Sequence, residues 1–190
     1  MKRIAIFASG GGSNALKFLE YYDSIKDIEI AIIVTNKKTA GVLKHANNFN
    51  VSSLIVDKAY FYNSTNIIDV MRSEKIDIIV LAGFLWLIPP YLVQAFPNQI
   101  VNIHPALLPK YGGKGMYGKH VHKAVKESGE LESGITIHFV NEKYDDGNHI
   151  FQASCPIAIE DSADDIAKKV LILEHKFYAK QVHCLLSQEP

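Results

Sequence analysis

Short, mostly unbroken apolar runs punctuate the first hundred residues: Ile4–Ala8, Ile28–Val34, Ser53–Val56, Ile76–Leu81 and Gln99–Ile103. Each has the length of a strand. Their lack of apolar–polar alternation is the pattern of strands covered on both faces. Between them, Asn14–Tyr22, Gly41–Phe49 and Thr65–Ser73 carry helical periodicity. This βαβαβαβ rhythm leaves few topologies. It predicts an α/β fold built on a mainly parallel, twisted sheet with right-handed crossovers and helices on both faces.

Past Ile103 the rhythm changes. Pro105–Gly118 contains two Pro and four Gly and reads as a loop. Lys119–Ser128 reads as a short helix, Gly134–Val140 alternates as a strand, Asn141–Asn148 is a polar loop, and His149–Ile159 is a further strand. Ser162 can cap a last helix, with Asp165 three residues on as a variant capping box. In that helix Ile166, Val170, Leu173 and Phe177 fall at helical spacing and predict one buried stripe. No repeat, linker or low-complexity stretch interrupts the chain. Its 190 residues predict one domain spanning 1–190.

Composition removes several functions. Twenty Lys+Arg balance twenty Asp+Glu, whereas a dedicated nucleic-acid binder usually carries a basic excess. A small anionic substrate stays open, because one phosphate needs only a local site. Cys155 and Cys184 form no CxxC pair and no disulfide framework, which fits a reducing compartment. Met1–Phe7 begins like a signal peptide, but the apolar run stops at Ser9-Gly10. That is too short for a signal core or a membrane span. The expectation is a cytoplasmic protein with small-molecule substrates and neither membrane nor nucleic-acid partners.

Three segments carry candidate chemistry. Ser9-Gly10-Gly11-Gly12-Ser13-Asn14 lies between the first strand and the first helix. Glycines permit a tight turn and close approach to an anion, and the helix N-terminus supplies free N–H groups. Gly10, Gly12 and Ala15 also satisfy G-x-G-x-x-A. However, the acidic residue that a dinucleotide site wants after the second strand is missing from Val34-Thr35-Asn36-Lys37. A phosphate monoester is therefore favoured over NAD, with a ligand-free glycine turn as the other reading. The second segment is Asn102-Ile103-His104-Pro105, at the end of a predicted parallel strand, where open α/β sheets bind ligands. Asn102 and His104 are two apart and leave one face of the strand. An amide donor beside an imidazole suits a carbonyl that becomes a tetrahedral oxyanion, while a lone strand-end His is also commonly structural. The third is the acidic loop Asn141–Gly147. A carboxylate there would orient or charge the imidazole, or the loop is solvated surface. No G-x-S-x-G supports a serine hydrolase. His120-x-His122 lacks a third ligand at suitable spacing, so no metal is expected. Lys110–Tyr117 is not a P-loop.

Taken together, FASGGGSN, VLAGFLWLIP, NIHPALLPKY and GITIHFVNEKYDDG resemble the folate-dependent formyltransferases. Within them they resemble the phosphoribosylglycinamide formyltransferase (glycinamide ribonucleotide transformylase) family, over about Met1 to Leu186. The resemblance implies a Rossmann-like formyltransferase fold. It implies transfer of a formyl group from 10-formyltetrahydrofolate, as co-substrate, to a primary amine, without metal. It assigns catalysis to Asn102, His104 and Asp145, and phosphate and ribose contacts to Gly12, Ser13, Asn14 and Glu174. Folate contacts fall to Leu85, Trp86, Leu87, Ile88, Asn141 and Tyr144, and a supporting shell to His120, His122 and His138. It divides the domain into a phosphate-binding half, 1–100, and a catalytic and folate-side half, 101–190, in a monomer or homodimer. The chain departs from the best-known bacterial pattern in a longer Gly112–Lys119 segment, in Trp86 where an Arg is common, and in Asp146-Gly147-Asn148. The alternatives are a formyltetrahydrofolate hydrolase, a formyltransferase acting on a different amine, and a catalytically silent folate-binding module.

Overall fold

The computed structural model describes residues 1–187. In chain order the elements are β1 (Lys2–Phe7), α1 (Ser13–Tyr22), β2 (Ile28–Thr35), α2 (Val42–Asn48), β3 (Ser52–Ile55), α3 (Lys58–Tyr62), α4 (Asn66–Ser73), β4 (Ile78–Leu81), α5 (Pro90–Ala95), β5 (Ile100–His104), α6 (Lys119–Glu127), β6 (Glu132–Phe139), β7 (His149–Pro156) and α7 (Ala163–Ser187). The seven strands form one sheet in the order β3-β2-β1-β4-β5-β6-β7. The pairs β1–β2, β1–β4 and β2–β3 are parallel, and β6–β7 is antiparallel. The fold is thus α/β with a mostly parallel sheet. No helix among the described residues is long and apolar enough to cross a membrane.

Two compact units divide the chain, residues 1–101 and those from 102 onward. In the first, Ile4–Phe7 of β1 and Ile79–Val80 of β4 have no exposed surface, which explains why these strands need no polar alternation. β3, at the sheet edge, leaves Ser52, Ser53 and Ile55 exposed. Two short helices carry no strong sequence signal. In α3, the Asp57 carboxylate accepts the Tyr60 N–H at 2.8 Å and starts the helix. In α5, Pro90 occupies the first turn, where its missing N–H costs nothing. β4 begins at Ile78 rather than Ile76, because Ile76 still donates to the Met71 carbonyl at the end of α4.

In the second unit the expected alternation of β6 does not appear: Ser133 to His138 are all buried. Both faces of this strand are covered, so Thr136 and His138 lie inside as deeply as Ile135 and Ile137. β7 stops at Pro156, opposite Glu132 at the start of β6, and Ile159 beyond it is 83% exposed. Ser162 and Asp165 form the expected reciprocal cap. The buried positions of α7, which packs on α6, β6 and β7, are Ile166, Val170, Tyr178, Ala179 and Val182. Leu173 and Phe177 are only half-buried, so the expected stripe holds for its first two members. Beyond them the buried row continues at a spacing of four, through Tyr178 and Val182. Glu174 occupies the half-buried place between Val170 and Tyr178 in that row.

Phe61, on α3, has no exposed surface. Its ring meets those of Phe7, Phe84 and Trp86 at centroid distances of 6.5, 5.4 and 5.6 Å. Phe61→Ala is expected to lower unfolding free energy by about 3–5 kcal/mol, read from urea unfolding. A loss under about 1 kcal/mol would mean that α3 is not part of the core.

Candidate active site

The glycine loop of the first unit follows β1. Gly12 sits at φ 78°, ψ 30° as the N-cap of α1 and caps with no side chain. The first intrahelical bond runs from the Leu16 N–H to the Gly12 carbonyl at 2.8 Å, so the N–H groups of the opening turn have no partner along the helix. Gly12 is required for a second reason. A β-carbon there would lie 2.7 Å from Cβ and Cγ2 of Val42 in α2. Gly41 is similarly tight, with Gly11 Cα 3.0 Å from the place of its β-carbon. The loop is therefore pressed against the start of α2, and the Val42 N–H donates to the Gly10 carbonyl at 3.2 Å. Around Gly10 and Gly11, by contrast, space is open. Ser9 is buried, and its hydroxyl accepts the Leu85 N–H at 2.9 Å.

That bond fixes the segment Leu85–Ile88 in the same unit. Leu85 is exposed and Ile88 is buried. Trp86 joins an aromatic cluster, 5.8 Å from Tyr62 and 6.1 Å from Phe84. The Tyr62 hydroxyl donates to the Leu87 carbonyl at 3.0 Å. Tyr91 donates its hydroxyl to the Phe61 carbonyl at 2.6 Å, and burial with neighbouring tyrosines pushes its phenol up to about 12.

The second unit gathers Asn102 and His104 of β5, His138 of β6 and Asp145. The two-residue alternation of β5 puts Asn102 and His104 on one side, and the register of the β6–β7 pair shifts between Ile137 and His138, passing over Ile150 of β7, at the histidine that meets Asn102. His138 Nδ1 lies 2.9 Å from the Phe139 carbonyl, which can only accept, so Nδ1 carries the proton. Nε2 is then the acceptor for the Asn102 amide, 3.2 Å away. This pairing fixes which way the Asn102 amide faces. His104 Nε2 lies 2.8 Å from the Tyr111 carbonyl and must donate to it. His104 Nδ1 is 3.5 Å from Asp145 Oδ2, and His138 Nε2 is 3.7 Å from Asp145 Oδ1. The Gly113 N–H donates to Asp145 Oδ2 at 3.0 Å.

The chain beyond His104 is held by one hydroxyl. Thr136 Oγ1 donates to the Ala106 carbonyl at 2.7 Å. It accepts the Leu108 N–H and the Gln152 amide, both at 2.9 Å. All three hydrogen-bonding positions of a hydroxyl are used, so the Ala106–Leu108 turn is tied to both β6 and β7.

Burial dominates the His104 imidazole and lowers its pKa below the ordinary 6.5, although the Asp145 charge and the Tyr111 carbonyl pull the other way. At neutral pH it is an uncharged ring with Nδ1 free to take a proton. Burial pushes the Asp145 carboxyl up. His138, His104 and the Gly113 N–H more than offset this and hold it below 3.8. A neutral base therefore stands beside a permanent anion, an arrangement that stabilises an imidazolium once it forms.

The remaining sequence-derived positions are scattered. His122, on α6, is buried, its Nδ1 has no hydrogen-bond partner among the described residues, and burial with the nearby His104 lowers its pKa. His120 is exposed beside the Tyr117 ring. Asn141 is occupied by its own loop, accepting the Lys143 N–H and donating to Asp146, and Tyr144 is exposed. Among the described residues, no group of three or more His, Cys, Asp or Glu could hold a metal ion. Sequence reasoning missed Thr136, Tyr111 and Gly113. A Thr inside a strand carries no signal, and Tyr111 and Gly113 act through backbone atoms.

Compared with known proteins, the chain matches the formyl transferase family model over residues 2–182. It is 45% identical over 193 residues to the chloroplastic phosphoribosylglycinamide formyltransferase of Arabidopsis thaliana, covering 98% of this chain. The chain spans 66% of that relative's length, just under two-thirds. It is 34% identical over 194 residues to phosphoribosylglycinamide formyltransferase of Bacillus subtilis, covering 98% and 95% of the two chains. The crystal structure of phosphoribosylglycinamide formyltransferase from Bacillus halodurans superposes with a TM-score of 0.88 at 32% identity, covering 98% and 96%.

The two kinds of glycine in the loop are separable. Gly12→Ala meets both the left-handed backbone and the Val42 contact, so it is expected to lower the melting temperature by several degrees. Gly11→Ala enters open space and is expected to leave the melting temperature within about one degree. Equal losses in thermal unfolding would contradict this packing.

Proposed function

Because this chain belongs to the formyl transferase family, we propose that it transfers a formyl group from 10-formyltetrahydrofolate to the amine of 5′-phosphoribosylglycinamide, a step of de novo purine synthesis. The enzymes it resembles take small-molecule substrates and a folate-type formyl donor. The observation that carries the reading is the group in the second unit: the neutral His104 imidazole lies 3.5 Å from the ionised Asp145 carboxylate, and His138, 3.7 Å from that carboxylate, orients the Asn102 amide at 3.2 Å.

The chemistry has simple needs. The amine lone pair attacks the formyl carbon, the carbonyl oxygen takes up negative charge, and the carbon–nitrogen bond to the donor then breaks. One proton leaves the amine and one reaches the donor nitrogen, so a single proton carrier suffices. Asn102 spends one amide hydrogen on His138 and keeps the other for the oxyanion, where a fixed donor acts most strongly. His104 Nδ1 accepts the amine proton and returns it to the departing nitrogen. Asp145, 3.5 Å away, stabilises the imidazolium in between.

In the first unit, Gly12, Ser13 and Asn14 are proposed to hold the substrate phosphate at the N-terminal end of α1, where the helix dipole favours an anion. Leu85, Trp86, Leu87, Ile88, Asn141 and Tyr144 are proposed as folate contacts, and Glu174 as a ribose contact. This division gives 1–100 the phosphate and 101–190 the chemistry. The cytoplasm is the proposed compartment.

The deciding assay follows 10-formyltetrahydrofolate consumption with and without glycinamide ribonucleotide. Consumption without the amine would point to a hydrolase, and none with it to a silent binder. Asn102→Ala is expected to cut turnover about 100–1000-fold with little change in substrate affinity. Undiminished turnover would remove the oxyanion role.

The pH profile supplies a second check. The neutral His104 is the active form, so the acid limb of kcat/KM should lie below 6.5. Asp145 raises the His104 pKa. Asp145→Asn should therefore move the limb of the residual activity to still lower pH, and a shift upward would contradict the assignment.

A further inference from the structure

We propose that Glu130, outside the reacting group, is a positioning residue that selects the tautomer of His104 through Tyr111. The inference rests on reading His104 as the proton acceptor. Tyr111 supplies the carbonyl that takes the His104 Nε2–H at 2.8 Å. Its backbone stands at φ 58°, a left-handed conformation that a residue with a large side chain keeps only when its surroundings hold it there.

Two features hold it. On one side Gly112 is wedged against the site: a β-carbon there would lie 2.6 Å from Leu108 Cδ2 and 3.3 Å from Asp145 Cβ. On the other, Glu130 Oε1 accepts the Tyr111 hydroxyl at 3.0 Å and the Lys110 ammonium at 2.8 Å. Glu130 lies in the turn between α6 and β6, just after Gly129 at φ 68°. One carboxylate therefore ties down two consecutive residues, the second of which presents its carbonyl to the histidine. The Lys110 arm is 66% exposed and weak for that reason. The phenol arm is the directional one.

The consequence is chemical. His104 is faced by Asp145, His138, His122 and the Tyr111 carbonyl. A neutral imidazole has one N–H to place. If it goes to Tyr111, Nδ1 is left as a lone pair and can accept a proton from substrate. If the carbonyl moves away, the N–H shifts to Nδ1, where Asp145 Oδ2 at 3.5 Å accepts it. Nδ1 is then no longer a base.

The test uses the full-length protein in two arms. Ring nitrogen chemical shifts of His104, assigned by their loss in His104→Gln, report the tautomer without any substrate. Steady-state formyl transfer reports the consequence. Tyr111→Phe and Glu130→Ala are each expected to raise the Nδ1–H population and to lower kcat by about 3- to 10-fold, the scale of one ordinary hydrogen bond. KM is expected to stay within about 2-fold. Glu130→Gln keeps an acceptor for the phenol and is expected to restore both readouts to within about 2-fold of wild type. Unchanged His104 shifts in both Tyr111→Phe and Glu130→Ala overturn the proposal, as does a Glu130→Gln spectrum matching that of Glu130→Ala. Shifted His104 tautomers in Tyr111→Phe and Glu130→Ala, alongside a wild type that transfers no formyl group, would sustain the positioning role and sink the transfer reading instead.

Discussion

The Asp145 carboxylate is about nine-tenths withdrawn from water, with 11% of its side chain exposed, and it stays ionised. An isolated charge in such a place would take up a proton. Here a backbone N–H from Gly113 reaches it at 3.0 Å, and two imidazoles stand at 3.5 and 3.7 Å. Much of the second unit's local structure serves this one demand. β5 brings His104, the end of β6 brings His138, and the Gly112–Gly113 turn comes close enough to donate only because Gly112 has no side chain.

The same demand explains the density of satisfied polar groups around the site. Thr136 is fully buried and uses its hydroxyl three times. Gln152 of β7 donates twice, to Thr136 and to the Leu108 carbonyl. A buried network of this kind specifies one arrangement of the chain, since each partial alternative leaves a polar group without a partner. It also leaves the His104 ring little freedom, because the residues on either side of it in space are themselves pinned. Catalytic groups work best when their geometry is set before substrate arrives.

The first unit obeys a different rule. Its glycine loop is shaped by packing as much as by any ligand: Gly12 and Gly41 are small because α1, α2 and the loop approach closely. A glycine-rich stretch before a helix thus carries two meanings at once, and the sequence displays only their sum. Ser9 makes the same point, a polar residue in a ligand-like motif whose hydroxyl is committed to the backbone of Leu85.

The sequence alone determined the α/β class, most strand positions and the pair Asn102–His104. Burial on both faces leaves continuous apolar runs, and a strand's period of two puts those side chains on one side. It also pointed to Asp145, through resemblance to a family rather than through its own neighbours. Tertiary structure alone decided the rest. β6 looked half-exposed because Thr136 and His138 alternate with isoleucines, yet both of its faces are covered. α3 and α5 were too short to show a period. The partners that hold the site, the Tyr111 carbonyl and the Gly113 N–H, belong to the backbone, which is chemically the same at nearly every residue. A linear sequence records side chains. Which carbonyl meets which imidazole depends on how distant segments are folded onto one another.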